Sequence, residues 1–534
     1  PDHTDKSAKV CLFFLIYHLY HSKHPGAKEA ETMQITLWHF MGILLTLGLL
    51  ISVGIYSGRH VQNAQDFTTG GNQAGPWQVG GALMGSLVSG QATVGTAQFA
   101  FHFGLSAWWF TLGAGIGCLL LGLLYAAPLR RSGKVTLLQV LSQTYGNQVE
   151  VVGSILSSLG IFISIIAQVI SACALLTIIF PIPIPLAAFI AIGLMAVYVI
   201  FGGSWGAELG GILKLLLLYA AAIVGFIFVM KLAHGFTGLH QSLVQSLLNT
   251  PLGETLSITQ NADISQRFYD LFGRGFLTDA GSGLSLLLGV LSTQTYAQAI
   301  WSAKSDHAAK KGALISALLV PPLGIACILI GLYMRGHYIT TEEIALLAQA
   351  GQAIPAGLIE ISNSAQVFPL FVVNHLPKLF GGVVLGTLLI TVVGGGAGLS
   401  LGVSTILMND ILKKRFQSLQ QTDKQLTATR ILILLILFTA AIIAILVSGT
   451  MINEFGFLSM GLRATVVFIP LTFALFYPNQ VSKKAVFVSM LAGPLAVLSG
   501  HFIALPFDSL FLGMLLSFLI CYGSFWQNRR YFMQ

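Results

Sequence analysis

The sequence predicts an all-α polytopic membrane protein of about thirteen transmembrane helices, and three observations predict it. Of the 534 residues, 55% are hydrophobic and only 9% are charged, with a mean hydropathy of +0.81, whereas soluble domains carry about 25% charged residues. Apolar runs near the ~20 residues that a helix needs to cross hydrocarbon recur along the chain. Lys and Arg gather in alternate loops, as they do on the cytoplasmic side of membrane proteins. These features imply a single membrane domain, 33–530, in the cytoplasmic membrane with the lipid bilayer as its solvent. The net charge of +8 then belongs to loops and gives no reason to expect nucleic acid.

Residues 1–32 hold His3, His18, His21 and His24 around a short apolar run, Val10 to Tyr20. That run is too short to span, no small-residue cleavage site follows it, and the histidines show no fixed metal-ligand geometry. The segment reads as a poorly ordered leader. Spans follow at 36–56, 77–99, 106–127, 148–179, 183–201, 205–231, 278–297, 310–334, 376–408, 429–448, 455–476, 484–502 and 507–526. An odd number puts the termini on opposite sides. With the amino terminus outside and the carboxyl terminus inside, the inner loops carry Arg59; Arg130, Arg131, Lys134; Lys304, Lys310, Lys311; Lys413, Lys414, Arg415, Lys424, Arg430; Lys483, Lys484; and Arg529, Arg530. Of the residues in loops between spans, Lys231, Arg267, Arg274, Arg335 and Lys378 fall on the outer side, so the positive-inside rule selects this orientation.

Two longer outer loops, 232–277 and 335–375, are expected to cap a vestibule. Cys11, Cys118, Cys173, Cys327 and Cys521 are scattered and have no metal-ligand spacing. No carboxylate pair, nucleophile elbow or phosphate-cradling loop appears in a supporting context, so the chain is not read as an enzyme. Gly394-Gly395-Gly396-Ala397-Gly398 lies inside a span and lacks the Lys-Ser/Thr of a phosphate loop.

One apolar stretch is interrupted at its middle. Gly80 to Thr96 is long enough to cross a bilayer, yet it sets Ser89, Gly90, Gln91 and Thr93 together near the midplane. Glycine loosens a helix by ~1 kcal/mol relative to alanine, and backbone groups freed at that depth are tolerated only against protein or a cavity. Such a break is a transporter's binding device. A packing face of small residues is the alternative.

Three stretches resemble the sodium:solute symporter family: Gln65-Asp66-Phe67-Thr68-Thr69-Gly70-Gly71-Asn72 through Pro76-Trp77, Gln294-Thr295-Tyr296-Ala297-Gln298 through Ser302-Ala303-Lys304-Ser305, and Leu401 to Ile411 with its Asp410. The resemblance covers about 36–526. It implies an inverted-repeat transporter of the LeuT type, with five helices repeated upside down and two broken helices, here 77–99 and 278–297. It also implies secondary-active transport of a small-molecule solute by alternating access, by a chain that works as a monomer. The solute would lie between Ser89, Gly90, Gln91, Ala92 and Thr93 on one helix and Thr293, Gln294, Thr295 and Tyr296 on the other, with Phe99, Phe101 and Tyr296 as stacking or gating groups.

The family's sodium site implies carbonyls at Gly85 and Val88 and two hydroxyl residues on the ninth helix. Those two positions are Gly394 and Gly395 here, leaving Thr391, one turn earlier, as the nearest hydroxyl. A hard cation needs more oxygens than this, so sodium coupling is in doubt. The acidic position that many members carry on the sixth helix is Gly211. Three residues on, Lys214 lies about ten residues, or ~15 Å, into its span, where lysine costs ~2.5–3.5 kcal/mol on insertion scales. It is expected either to fill the sodium's place, bonded to Gly85 or Val88 and Thr391 and losing its proton in the cycle, or to pair with Glu208 or a lipid headgroup. The coupling ion is thus Na+ or H+, with no other cofactor. Arg463 is a second intramembrane charge, expected to hold the bundle or to bind a solute carboxylate. An uncoupled facilitator or channel and a transporter-like sensor remain the other classes, and the solute's identity is not legible.

Overall fold

The computed structural model describes residues 35–58, 72–353, 355, 357–503 and 505–533. The leader 1–32, Arg59 and Gln65 to Gly71 lie outside the described residues, as does the side chain of Glu208. The chain divides into two compact units, Pro1–Ile35 and Thr36–Gln534, and the fold below is that of the second.

The helices are α1 (Leu37–Gly58), α2 (Pro76–Leu87), α3 (Thr96–Phe103), α4 (Trp108–Leu120), α5 (Leu137–Tyr145), α6 (Asn147–Ile179), α7 (Ile184–Leu232), α8 (Phe276–Leu291), α9 (Gln294–Trp301), α10 (Asp306–His337), α11 (Lys378–Ile406), α12 (Thr422–Leu446), α13 (Ile452–Phe476), α14 (Lys483–Phe502) and α15 (Leu510–Met533). Among the described residues, nine helices are long and apolar enough to cross a membrane, or ten if the pair α8–α9, bent by 43°, counts as one span. Thirteen is therefore not recovered as a count, and the reasons are local. The stretch Gln91–Arg131 runs through a 3-10 turn at Gly104–Ala107 as one apolar helix, and the apolar stretches 37–49 and 184–200 belong to the longer α1 and α7, parts of whose side chains lie outside the described residues.

Local signals place the ends. Pro76 opens α2, Thr136 caps α5 by accepting from Gln139 N, and Ser305 caps α10 by accepting from Ala308 N, each satisfying a donor that the helix leaves free. α1 crosses α11 with backbones in contact. A Cβ at Gly42 would stand 2.4 Å from Leu379 O, and one at Gly382 would stand 2.1 Å from His39 O, the close approach that small residues permit between membrane helices. The segments read as loop caps contain short helices such as Gly235–Leu247 and Thr341–Gln349, together with a parallel pair of strands, β1 (Tyr338–Thr340) and β2 (Ile359–Ile361).

Candidate functional site at two helix breaks

The first break falls where the glycine-rich run predicts it. α2 stops at Leu87, Val88 is extended (φ −79°, ψ 91°), and the chain resumes as a π-helical turn, Gln91–Gly95, that runs into α3. Ser89, Gly90, Gln91, Ala92 and Thr93 are all buried. Gly90 is required by space, because a Cβ there would stand 2.6 Å from Ser171 Cβ and 2.9 Å from Val392 Cγ2. One side chain satisfies the opened backbone. Gly90 N donates to Gln168 Oε1 at 2.9 Å, and Gln168 Nε2 donates to Ser89 Oγ at 3.0 Å and Gln91 Oε1 at 3.2 Å. Thr93 Oγ1 donates to Ser89 O, and Thr96 Oγ1 to Gln91 O. Gln91 Nε2 is buried with no partner.

Gln168 is not among the residues expected from the sequence, although a lone amide in the apolar run Ile165-Ile166-Ala167-Gln168-Val169-Ile170 was the available signal. Such a group is retained at that depth only when it is hydrogen-bonded.

The second break lies at Ser292 and Thr293, between α8 and α9. Thr293 Oγ1 donates to Gly289 O at 2.6 Å and accepts from Arg463 Nη1 at 2.9 Å. Arg463 is fully buried. Its Nε donates to Ser459 O at 3.0 Å and its Nη2 to Ser164 Oγ at 2.9 Å and Ser459 Oγ at 2.7 Å, while the Tyr296 phenol interacts with the same guanidinium. Ser164 and Gln168 are one turn apart on α6, so that helix joins the two breaks.

Gln294 and Thr295 are placed differently. The Gln294 carboxamide is engaged by the 135–137 loop, accepting from Leu137 N at 3.0 Å and donating to Val135 O at 2.8 Å. The Thr295 methyl abuts Gly402, and its hydroxyl has no partner.

A cavity of about 20 Å³, lined by Gly85, Ser86, Tyr198, Lys214, Gly394 and Ala397 among others, adjoins the first break. A space of that size holds one water. Tyr198 and Lys214, both on α7, line it. Lys214 is 4% exposed, and its Nζ donates to Gly85 O at 2.5 Å. Gly211 makes that approach possible, since a Cβ there would stand 2.1 Å from Gly81 O.

The two glycines opposite are not equivalent. A Cβ on Gly395 would meet Ser89 Cβ at 2.7 Å, whereas the nearest atom to one on Gly394 is in the Tyr198 ring, at 3.7 Å. The Thr391 hydroxyl donates to Thr387 O along its own helix. These residues do not fit a sodium ion: the ammonium already takes the Gly85 carbonyl, and positions 394 and 395 bring no side-chain oxygen.

Two polar clusters, or locks, flank the breaks. At the end carrying the basic loops, buried Asp410 accepts from Thr136 Oγ1, Gln139 Nε2 and Ser154 Oγ. Beside it, Arg130 pairs with Asp306 at 2.9 Å and Lys414 with Glu150 at 2.6 Å. At the opposite end, Arg274 pairs with Asp279 at 2.6 Å and lies 4.6 Å over the ring of Phe99, which also contacts Phe103 and Phe457. Phe101 is buried beneath the Arg335 guanidinium.

Known proteins share this fold. The profile of the Sodium:solute symporter family matches residues 67–493. An uncharacterized symporter, YwcA, of Bacillus subtilis (strain 168) is 26% identical over 215 residues, a match that spans 40% of this chain and 42% of that protein. A Na+-coupled sialic acid symporter, solved substrate-bound and outward-open, superposes with a TM-score of 0.71 at 17% identity over 93% of this chain and 98% of its own. Mhp1, a nucleobase-cation-symport-1 family transporter solved closed with bromovinylhydantoin bound, gives 0.51 at 11% identity over 88% and 96%. At these identities the likeness is one of fold.

Proposed function

The chain belongs to the sodium:solute symporter family, and from that premise we propose that it is a secondary-active transporter of a small organic solute in which Lys214 takes the place of the coupling sodium ion and carries a proton. The observation that carries this reading is the Lys214 ammonium on the Gly85 carbonyl, across the cavity from Gly394, which like Gly395 offers no side-chain oxygen. The solute lies between the two breaks, chiefly against Ser89 to Thr93, Thr293 and Tyr296. Gln294 belongs to the lock on the basic side. The protein sits in the cytoplasmic membrane with its amino terminus outside and its basic loops inside, and it works as a monomer.

The mechanism follows from the hydrogen bond. When protonated, Lys214 ties the second half of α7 to α2. When it gives up the proton, that tie weakens from a charge-assisted bond to a neutral one. Hydrogen bonds to charged groups contribute about 1.5–3 kcal/mol and neutral ones about 0.5–1.5, so the change of about 1–1.5 kcal/mol biases the equilibrium between arrangements of the bundle roughly 5- to 12-fold at 1.4 kcal/mol per decade. Coupling needs only such a differential.

The test is uptake into proteoliposomes under a pH gradient without sodium, and separately under a sodium gradient at constant pH. Accumulation against the solute gradient under the first condition is expected, and it also distinguishes this reading from a facilitator. Accumulation only under the second would refute it.

A further inference from the structure

We propose that the transported solute is a small monocarboxylate with a neutral hydrogen-bonding group at its far end, and that Arg463 receives the carboxylate. The proposal rests on the transporter reading above and assigns a substrate class to the same site.

Arg463 is a guanidinium in the membrane interior whose described partners are neutral groups: Ser459 O and Oγ, Ser164 Oγ, Thr293 Oγ1 and the Tyr296 phenol. The buried acids nearest the two ends of the path have partners of their own. Asp279 holds Arg274, Glu150 holds Lys414, and Asp410 is enclosed by Thr136, Gln139 and Ser154. Charged side chains within spans ordinarily pair with one another or mark a substrate path. A planar guanidinium at a helix break can hold a carboxylate bidentately when the solute takes the place of the neutral hydroxyls that now accept its N–H groups.

Further polar groups lie on the same helix face. Asn453, Gly456, Ser459 and Arg463 recur on α13 at spacings of three and four, which stacks them on one side, and Gly456 and Arg463 stand roughly 10 Å apart along the axis. At the Gly456 end, a Cβ would stand 3.0 Å from Gln91 Nε2 and 2.6 Å from Phe110 Cε2, so the glycine lets the amide and the ring pack directly onto α13. Three buried polar atoms there have no partner: Gln91 Nε2, Asn453 Nδ2 and Asn453 Oδ1. A cation for the carboxylate thus lies at one end of this face, and neutral donors and an acceptor at the other.

The experiment measures binding to purified protein in nanodiscs by thermal shift and calorimetry. The probes are pyruvate, lactate, 4-hydroxybutyrate and gluconate, each beside its primary amide. At least one carboxylate is expected to bind tenfold or more tightly than its amide. Arg463→Gln should erase that preference, whereas Arg463→Lys, which keeps the charge but not the fork, should retain part of it. Equal binding of acid and amide, binding by no member of the panel, or an Arg463→Gln protein that keeps the preference would each overturn the proposal. If Arg463→Gln does not fold, the wild-type acid-to-amide ratio and the Lys variant decide the matter.

The Lys214 reading fails separately. A carboxylate that binds through Arg463 but is not driven by a pH gradient removes Lys214 and leaves the substrate class. Proton-driven accumulation of a neutral solute alone does the reverse.

Discussion

Replacing Lys214 with methionine separates coupling from folding, because two opposing energies nearly cancel at that position. An ammonium at the centre of a span costs ~2.5–3.5 kcal/mol on insertion scales, and its charged hydrogen bond to Gly85 O returns about 1.5–3 kcal/mol. Methionine removes both. The Gly85 carbonyl left behind faces a cavity of about 20 Å³, enough for one water to replace the lost donor. The expected change in stability is therefore below about 2 kcal/mol, a shift of a few degrees in thermal unfolding in nanodiscs. Transport should change far more. With one proton per solute, a pH difference of one unit supplies ~1.36 kcal/mol and drives up to about tenfold accumulation in the wild type. In Lys214→Met the same gradient should drive none, while solute counterflow, which needs only alternating access, continues. Tyr198 is the other titratable side chain described on the cavity wall, so Tyr198→Phe serves as the control and should retain gradient-driven uptake. Gradient-driven accumulation by Lys214→Met, or loss of its fold, would refute the reasoning.

Two further outcomes follow from the same packing. Gly394→Ala should be tolerated, since its Cβ meets nothing closer than 3.7 Å, whereas Gly395→Ala, at 2.7 Å from Ser89 Cβ, should lose about 1–3 kcal/mol to overpacking and with it solute binding; unfolding midpoints of the pair check this. Gln168→Leu leaves Gly90 N without its buried acceptor, which costs ~1–3 kcal/mol; hydrogen exchange should rise at residues 88–95 and uptake should fall.

The spans and the first break were legible because hydrocarbon imposes them: a helix must present ~20 apolar residues in a row to cross it, and glycine with clustered hydroxyls and amides at the midplane needs a reason to be there. The partners across space were less legible. Gln168 and Gln294 are both amides within apolar spans in the sequence, yet one holds the break open at Ser89 and Gly90 and the other clamps the 135–137 loop. Only the packing of α6 and α9 tells them apart. Likewise Gly394 and Gly395 read as the same loss of a hydroxyl, but adjacent residues on a helix point about 100° apart, so one abuts Ser89 and the other opens on the cavity. The expected thirteen spans stand beside nine or ten among the described residues because apolar stretches run together, as at Gln91–Arg131, and length along the chain does not fix depth in the bilayer.

The two buried cations make a joint demand on the transport cycle. Arg463 keeps its charge throughout, whereas Lys214 in the proposed mechanism is charged only on the loaded leg. If the solute is a monoanion, its negative charge offsets the proton on Lys214, and the moving core carries the same net charge loaded and empty. If the solute is neutral, the loaded core carries one more positive charge than the empty one. The membrane potential distinguishes these cases, because 100 mV acts on one elementary charge with ~2.3 kcal/mol, roughly a 50-fold difference in accumulation. Imposing a potassium diffusion potential on proteoliposomes at fixed pH difference should therefore leave uptake unchanged. A 50-fold response would mean that the solute brings no charge, and the carboxylate would then have no place opposite Arg463.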